Sequence, residues 1–303
     1  MHNTTYIKEF MDYYDYPQEA INVMNEALDK INNTPTIKEG YCTLLNDMVS
    51  EKISIADAIS QVEKFGEDNG IDERTISLIF IIDASQWAKE KFIQKGIPLQ
   101  VFFDTFRDLR YKLIECMEVE HTVGTFVAGW FRHHLDVHIF ALGRFQYEVT
   151  TAYIEEPFTV GGVTINPGDP ILSLHIPSSG IPLTDEIRYD SYKKAYEFFK
   201  DMFNDGTVHF MCGSWLLYPK AKEFLPPHLN VLRFMDDFTI AHWEERDTFG
   251  DDWRLFADKT DLPLEEWPED TSMRKAYKQW MMNGGKTGEA IGVIIFDGEK
   301  ILK

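Results

Sequence analysis

A chain of 303 residues is too long for one small core, and two domains are the usual outcome at this length. Its 22 Phe, 13 Tyr and 7 Trp supply the apolar mass for real cores and exclude disorder as the default state. The formal net charge of −20, spread over both halves with no basic stripe, excludes nucleic acid and an anionic membrane surface as partners.

The opening stretch, MHNTTYIKEF, lacks a basic patch followed by an apolar run, so a soluble, cytoplasmic protein is expected. From Tyr6 to about Asp136 the apolar spacing is helical. Helices are predicted over Pro17–Ile31, Ile37–Met48, Ser54–Phe65 (capped by Ser54), Ile71–Gly96 and Pro98–Met117. The apolar run Leu78–Ile82 ends at Asp83 and is far short of a bilayer span. This half collects no catalytic groups and reads as a helical bundle. At its end, HHLDVH places His134 and His138 four residues apart, a spacing known from metal pairs. No glutamate follows His134, so a polar junction is the expected reading and no metal is assigned.

After Val137 the period changes to two. A strand is predicted over His138–Tyr153, then the turn-rich connector GGVTINPGDP after a second short strand. There follow a strand over Ile171–Ile176, a helix over Thr184–Phe203, a strand over Val208–Trp215 and a short helix over Pro219–Phe224. One or two strands are predicted over Val231–Arg246, a helix over Ser272–Met282 and a last strand over Ala290–Phe296. The expected class is α+β: a helical domain over residues 1–136 and a mixed-sheet domain with flanking helices over 137–303. Asn283–Gly288 imitates the end of a phosphate-binding loop, but Trp280 stands where its first glycine belongs. A helix precedes the stretch and a strand follows it, the reverse of what that loop requires. It is expected to be a helix cap and turn. Cys42, Cys116 and Cys212 form no Cys-x-x-Cys pair, which excludes a disulfide framework and a four-cysteine zinc site.

Chemistry concentrates at one corner, PILSLHIPSSGIPLT. On the strand, Ser173 and His175 share the polar face and Leu172, Leu174 and Ile176 the apolar one. His175 is therefore a candidate general base, or a hydrogen-bonded structural histidine. Ile176, Ser178, Ser179 and Gly180 lead towards a helix N-terminus, where backbone amides can meet an anion. Pro177 and Pro182 each remove an N–H, and Asp185 and Glu186 oppose negative charge nearby. On the preceding strand Arg144, Gln146 and Glu148 share a face, either a salt-bridged stripe or a substrate-binding surface. Cys212 and Ser214 share a face on the Val208–Trp215 strand and have no sequence-local base.

Four segments carry a resemblance: LGRFQYE (142–148), LHIPSSGIPLT (174–184), CGSWLLYP (212–219) and LPPHLNVLRF (225–234). They resemble the GNAT-like C-terminal domain of bacterial acyltransferase-domain proteins, and the helical half is similar in character to the domain that accompanies it. The resemblance implies acyl transfer from acyl-CoA, or a related thioester, to an amine or hydroxyl acceptor by direct attack. It implies His175 or Glu148 as the base, Ser214 as a proton donor to the leaving thiolate, and backbone amides of the Val208–Trp215 strand at the carbonyl. CoA would lie along Ile176, Ser178, Ser179 and Gly180, and the substrate against Arg144, Gln146, Cys212 and Trp215. Laid on the family's phosphate-loop pattern with Gly180 as its central glycine, the chain departs at Pro177 and Pro182. The alternative is a non-catalytic binding protein holding a carbohydrate-like ligand on Trp215, Tyr147 and the Arg144–Gln146–Glu148 face. A partner-docking protein is a third reading. A small molecule is the expected partner, and a homo-oligomer is allowed.

Overall fold

The structure, a computed structural model, describes residues 2–303. The chain divides into two compact units, the first ending at Phe140 and the second spanning Ala141–Lys303.

The first unit is helical: α1 (Thr4–Tyr13), α2 (Gln18–Asn33), α3 (Pro35–Val49), α4 (Ile55–Asp68), α5 (Glu73–Gln94), α6 (Leu99–Phe106), α7 (Asp108–Val119) and the single turn α8 (Arg132–Leu135). The expected Pro98–Met117 helix is interrupted at Arg107 and continues as α7. Helix α5 is the centre of the bundle, buried on every side from Thr75 to Ser85. Its apolar run is therefore a core helix, and Asp83 is carried inside with it. Four donors converge on that carboxylate: the His2 ring at 2.6 Å, the Asn3 N–H at 3.0 Å, the Gln86 amide at 2.9 Å and the Tyr41 hydroxyl at 3.3 Å. A buried carboxylate is tolerated only when it is surrounded in this way.

The second unit is built on a seven-stranded mixed sheet in the order β1–β2–β5–β6–β8–β7, with β9 on β8. The strands are β1 (Ile139–Leu142), β2 (Phe145–Thr151), β3 (Phe158–Val160), β4 (Val163–Ile165), β5 (Pro170–His175), β6 (Val208–Ser214), β7 (Thr239–Arg246), β8 (Thr287–Phe296) and β9 (Ile301–Leu302). Its helices are α9 (Asp185–Phe199), α10 (Ala221–Phe224), α11 (Asn230–Asp237), α12 (Trp253–Phe256) and α13 (Ser272–Met282). The class is α+β, as expected.

Two expectations are corrected. The single strand read over His138–Tyr153 is a hairpin that turns at Gly143, whose φ is +77°. A side chain there would be strained and would press on Ser191 of α9 at 3.1 Å. The stretch Val231–Asp237, read as strand, is helix α11, because its buried residues Val231, Phe234 and Met235 recur at three- and four-residue steps.

One face of the sheet packs on α9 and α11. Phe145 stacks on Tyr192, the Tyr147 hydroxyl meets Ser191 at 3.0 Å, and Phe234 packs on Phe145. Arg188 of α9 is buried and ion-paired with Asp237 at 2.6 Å, to which Tyr192 also donates, at 3.0 Å. The opposite face carries a second apolar cluster of Ile171, Met211, Val293 and Ile295, joined by Val160 and Ile165 of the small β3–β4 hairpin. After α13, Gly284 takes a φ of +81° and its N–H meets the Met281 carbonyl, so the glycine-rich stretch is the helix cap expected from context.

Candidate active site

The site lies where two parallel strands part. β5 and β6 pair in parallel only at Leu172–Phe210 and Ser173–Met211. β5 continues to His175, and β6 continues to Ser214 while still paired with β8. Between them the ladder ends. Gly213 sits on a strand that is central in the sheet, yet it is exposed. A mid-strand residue becomes exposed only when its neighbour has moved aside. The space beside Gly180, whose φ is +71°, is open as well.

The polar side chains at this opening come from β2 and β5. In the antiparallel register Gln146 opposes His175 and Glu148 opposes Ser173, so all four share one face. His175 Nε2 lies 3.0 Å diagonally from Glu148 Oε2, with the imidazole 29% exposed and the carboxylate 14%. A carboxylate against one imidazole nitrogen fixes the ring's orientation. Gln146 and Ser173 are buried beside them.

Arg144 is placed differently from its expected contact with substrate. Its Nε donates to the Ile181 carbonyl at 2.8 Å and its Nη1 to the Pro177 carbonyl at 2.9 Å, and the residue is buried. It braces the serine–glycine loop from behind. The peptide is planar and trans, so turning the Pro177 carbonyl towards Arg144 turns the Ser178 N–H away from it. Within the loop the Ser179 N–H donates to the Pro177 carbonyl at 2.8 Å, and the Ile181 N–H donates to Ser179 Oγ at 3.3 Å. Thr184 caps α9 by accepting from the Ile187 N–H at 3.4 Å. Asp185, in the first helical turn, is paired with Arg188 at 3.1 Å and Arg233 at 2.6 Å. Its charge is therefore compensated locally.

The remaining sequence candidates are less central. Cys212 is buried, and burial pushes its thiol up to about 12, so it is not a thiolate nucleophile. Ser214 Oγ accepts from the Leu216 N–H at 3.1 Å and caps the turn that follows β6. Trp215 belongs to an aromatic cluster with Phe249 at 5.2 Å and Tyr277 at 5.5 Å. Ile176 continues from the end of β5 and is half-buried. Of the histidines in HHLDVH, His134 is buried 3.6 Å from Asp108, and His138 lies 3.4 Å from Asp136. Among the described residues no group of three or more His, Cys, Asp or Glu could hold a metal ion.

Two residues of the site were not picked from sequence. Tyr153, just past β2, lies against Gly213, where a β-carbon would sit 3.4 Å from the phenol oxygen. Gly213 itself carried a signal, since a glycine inside a strand marks a close approach or a break in pairing. Tyr153 carried none, because its reach depends on a bend of the chain after β2.

Residues 139–294 match the family model described as the GNAT-like C-terminal domain, and residues 5–137 match the N-acyltransferase N-terminal domain. No curated protein matches the chain. Among solved structures, the chain is similar to an acyltransferase in complex with decanoyl-CoA, with a TM-score of 0.75 and 21% identity over 95% of this chain and 87% of that one. It is also similar to an acyltransferase in complex with decanoyl-CoA and teicoplanin, with a TM-score of 0.74 and 18% identity over 95% and 87% of the two chains. A complex with CoA and 10C-teicoplanin gives a TM-score of 0.74 and 18% identity over 96% and 88%. At these identities the likeness is one of fold.

Proposed function

The chain belongs to the acyltransferases that join an N-acyltransferase N-terminal domain to a GNAT-like C-terminal domain, and we propose that it transfers an acyl group from acyl-CoA to an amine or hydroxyl acceptor by direct attack. The observation that carries this reading is the His175–Glu148 pair, 3.0 Å apart, at the mouth of the β5–β6 opening beside an exposed Gly213. The similar folds seen with decanoyl-CoA and with CoA support an acyl-CoA donor.

The acyl-pantetheine arm enters between the parted strands. The diphosphate lies at Ile176, Ser178, Ser179 and Gly180, on a loop held in shape by Arg144 and next to the N-terminus of α9. His175 takes a proton from the acceptor as its nitrogen or oxygen attacks the thioester carbon, and Glu148 steadies the resulting imidazolium. The new C–N or C–O bond forms, the C–S bond breaks, and the electron pair leaves with sulfur. The proton gained by His175 balances the one taken up by the thiolate, with Ser214 the nearby hydroxyl able to relay it.

The carbohydrate-binding alternative is not favoured. It needs Trp215 and Arg144 to face a ligand, whereas Trp215 stacks within an aromatic cluster and Arg144 is engaged by two loop carbonyls. Among the described residues no helix is long and apolar enough to cross a membrane. Calorimetric titration with acetyl-, octanoyl- and decanoyl-CoA tests the proposal. Binding of at least one donor is expected, and no heat with any of them overturns it.

A further inference from the structure

Of the substrate contacts expected from sequence, Arg144 is engaged by the loop, Cys212 is buried and Trp215 stands in an aromatic cluster, which leaves Gln146. It stands on β2 directly opposite His175 of β5, so their Cα atoms are about 5 Å apart and both side chains rise from the same face of the sheet. The residue is 2% exposed, and its carboxamide makes no hydrogen bond to any of the described residues. Its oxygen and nitrogen are nevertheless not among the buried polar atoms sealed off without a partner. The amide therefore borders a small space on the face that carries His175, and a carboxamide so deeply placed takes its partners from a ligand or from water. Strand order locates that space. β5 has β6 and the opening on one side and β2 on the other. A donor in the opening and an acceptor over β2 meet at His175, with the acceptor against Gln146.

We propose that Gln146 orients the acceptor, an inference that rests on the acyl-transfer reading above: its Oε1 accepts one N–H of a primary amine while His175 takes the other proton. An attacking amine spends its only lone pair on the thioester carbon, so both of its protons need acceptors. As the C–N bond forms, positive charge grows on nitrogen and the N–H held by Oε1 becomes a stronger donor. That hydrogen bond tightens in the transition state and raises the rate rather than the affinity. His175 removes its proton, the C–S bond breaks with its electron pair leaving on sulfur, and the proton held by Gln146 stays as the N–H of the product amide. A secondary amine gives its one proton to His175 and turns an alkyl group towards the carboxamide. An alcohol also has one proton, and the Gln146 amide N–H would bond the attacking oxygen and blunt it. The site thereby selects primary amines.

Gln146→Met keeps the length of the side chain and removes its amide. Single-turnover decanoyl transfer is measured to 2-phenylethylamine and octylamine, to their N-methyl forms, and to 2-phenylethanol and octanol. The wild type should acylate at least one of the primary amines, and faster than its N-methyl and alcohol counterparts by about 10²-fold or more, since a site built around an N–H rejects an analogue that lacks it. In Gln146→Met that rate should fall by about 10²-fold, the preference over the N-methyl amine should collapse, and the calorimetric Kd for decanoyl-CoA should change by less than about twofold. Because the carboxamide has no partner among the described residues, the variant should melt no lower than the wild type. A lower melting temperature would make Gln146 a structural residue and overturn the proposal. So would equal wild-type rates on primary and N-methyl amines, a preference retained in the variant, a defect confined to Kd, or a wild type that binds decanoyl-CoA and acylates neither primary amine. A wild type that binds no acyl-CoA overturns the underlying acyl-transfer reading instead.

Discussion

Replacing Arg144 with alanine removes both braces of the serine–glycine loop, the bonds to Pro177 and Ile181 at 2.9 and 2.8 Å. A hydrogen bond from a charged donor contributes about 1.5–3 kcal/mol, and more is at stake when the partners are buried. Without the braces the loop samples other shapes and must be re-ordered each time acyl-CoA binds. If that re-ordering costs about one such bond, the Kd for decanoyl-CoA rises roughly 10- to 150-fold. Calorimetry at two salt concentrations separates this mechanism from a direct contact between guanidinium and phosphate. A direct contact weakens with salt, so the defect would shrink as ionic strength rises. A brace from the buried guanidinium to two uncharged carbonyls gives a defect that hardly changes. Arg144→Lys keeps the charge but cannot bridge two carbonyls with a planar fork, and it should bind nearly as poorly as the alanine variant. Wild-type affinity in Arg144→Ala, or full recovery in Arg144→Lys, would refute the bracing role.

Three further outcomes are expected. His175→Ala should lower the transfer rate by about 10²- to 10⁴-fold with little change in acyl-CoA affinity, and Glu148→Gln, which leaves the imidazole in place but removes its counter-charge, should fall between it and the wild type; stopped-flow assay of thiol release reads both. Gly213→Val should fold normally, because a β-carbon meets only the Tyr153 phenol at ordinary contact distance, yet abolish acyl-CoA binding by filling the opening, as read by calorimetry beside a melting curve. Burial holds Tyr16, Tyr41, Tyr147 and Tyr192 above the ordinary phenol range, so the folded state keeps protons that the unfolded state releases, and stability present below about pH 10 is lost as pH rises past it, by up to about 1.4 kcal/mol per tyrosine per pH unit. Of the 13 tyrosines, the exposed ones can ionise in the intact fold, so the phenolate absorbance near 295 nm should rise in two steps, the last coinciding with unfolding; ionisation of all 13 in an intact fold would contradict the burial described for these four.

The sequence was most informative where one physical rule acted alone. The change of period near Val137 separated helical from strand-bearing sequence, and Trp280 with the helix–turn–strand order disposed of the false phosphate loop. The alternation on β2 and β5 put Glu148 and His175 on polar faces, but only the β2–β5 register brings them within 3.0 Å, and register is a tertiary property. Arg144 was legible as a polar residue on that strand and illegible as a brace, since its partners are backbone carbonyls more than thirty residues away. The helix α11 was missed because Val231–Phe238 is short and apolar enough to satisfy either period. Tyr153 was hidden by an irregular bend that no periodicity describes.

Pro177 and Pro182 looked from sequence like obstacles to CoA, because each removes an N–H from a loop whose amides should hold a diphosphate. In the folded chain the same stretch shows how that loss can be offset. Proline narrows the conformations open to the unfolded loop, and Arg144 uses the carbonyl of Pro177 and the one just before Pro182 to fix the folded one. Fewer amides remain, but they are held in place before the ligand arrives, which lowers the ordering cost of binding. Asp185 is likewise less of an obstacle than its position suggests, since Arg188 and Arg233 neutralise it, leaving the α9 N-terminus free of a net local repulsion from that residue. A rigid loop with few donors gives lower affinity for bare CoA than a loop with a full set, and so makes binding depend more on the acyl chain. Affinity in this protein should therefore climb from acetyl- to decanoyl-CoA, and a flat series would mean that the loop alone carries the interaction.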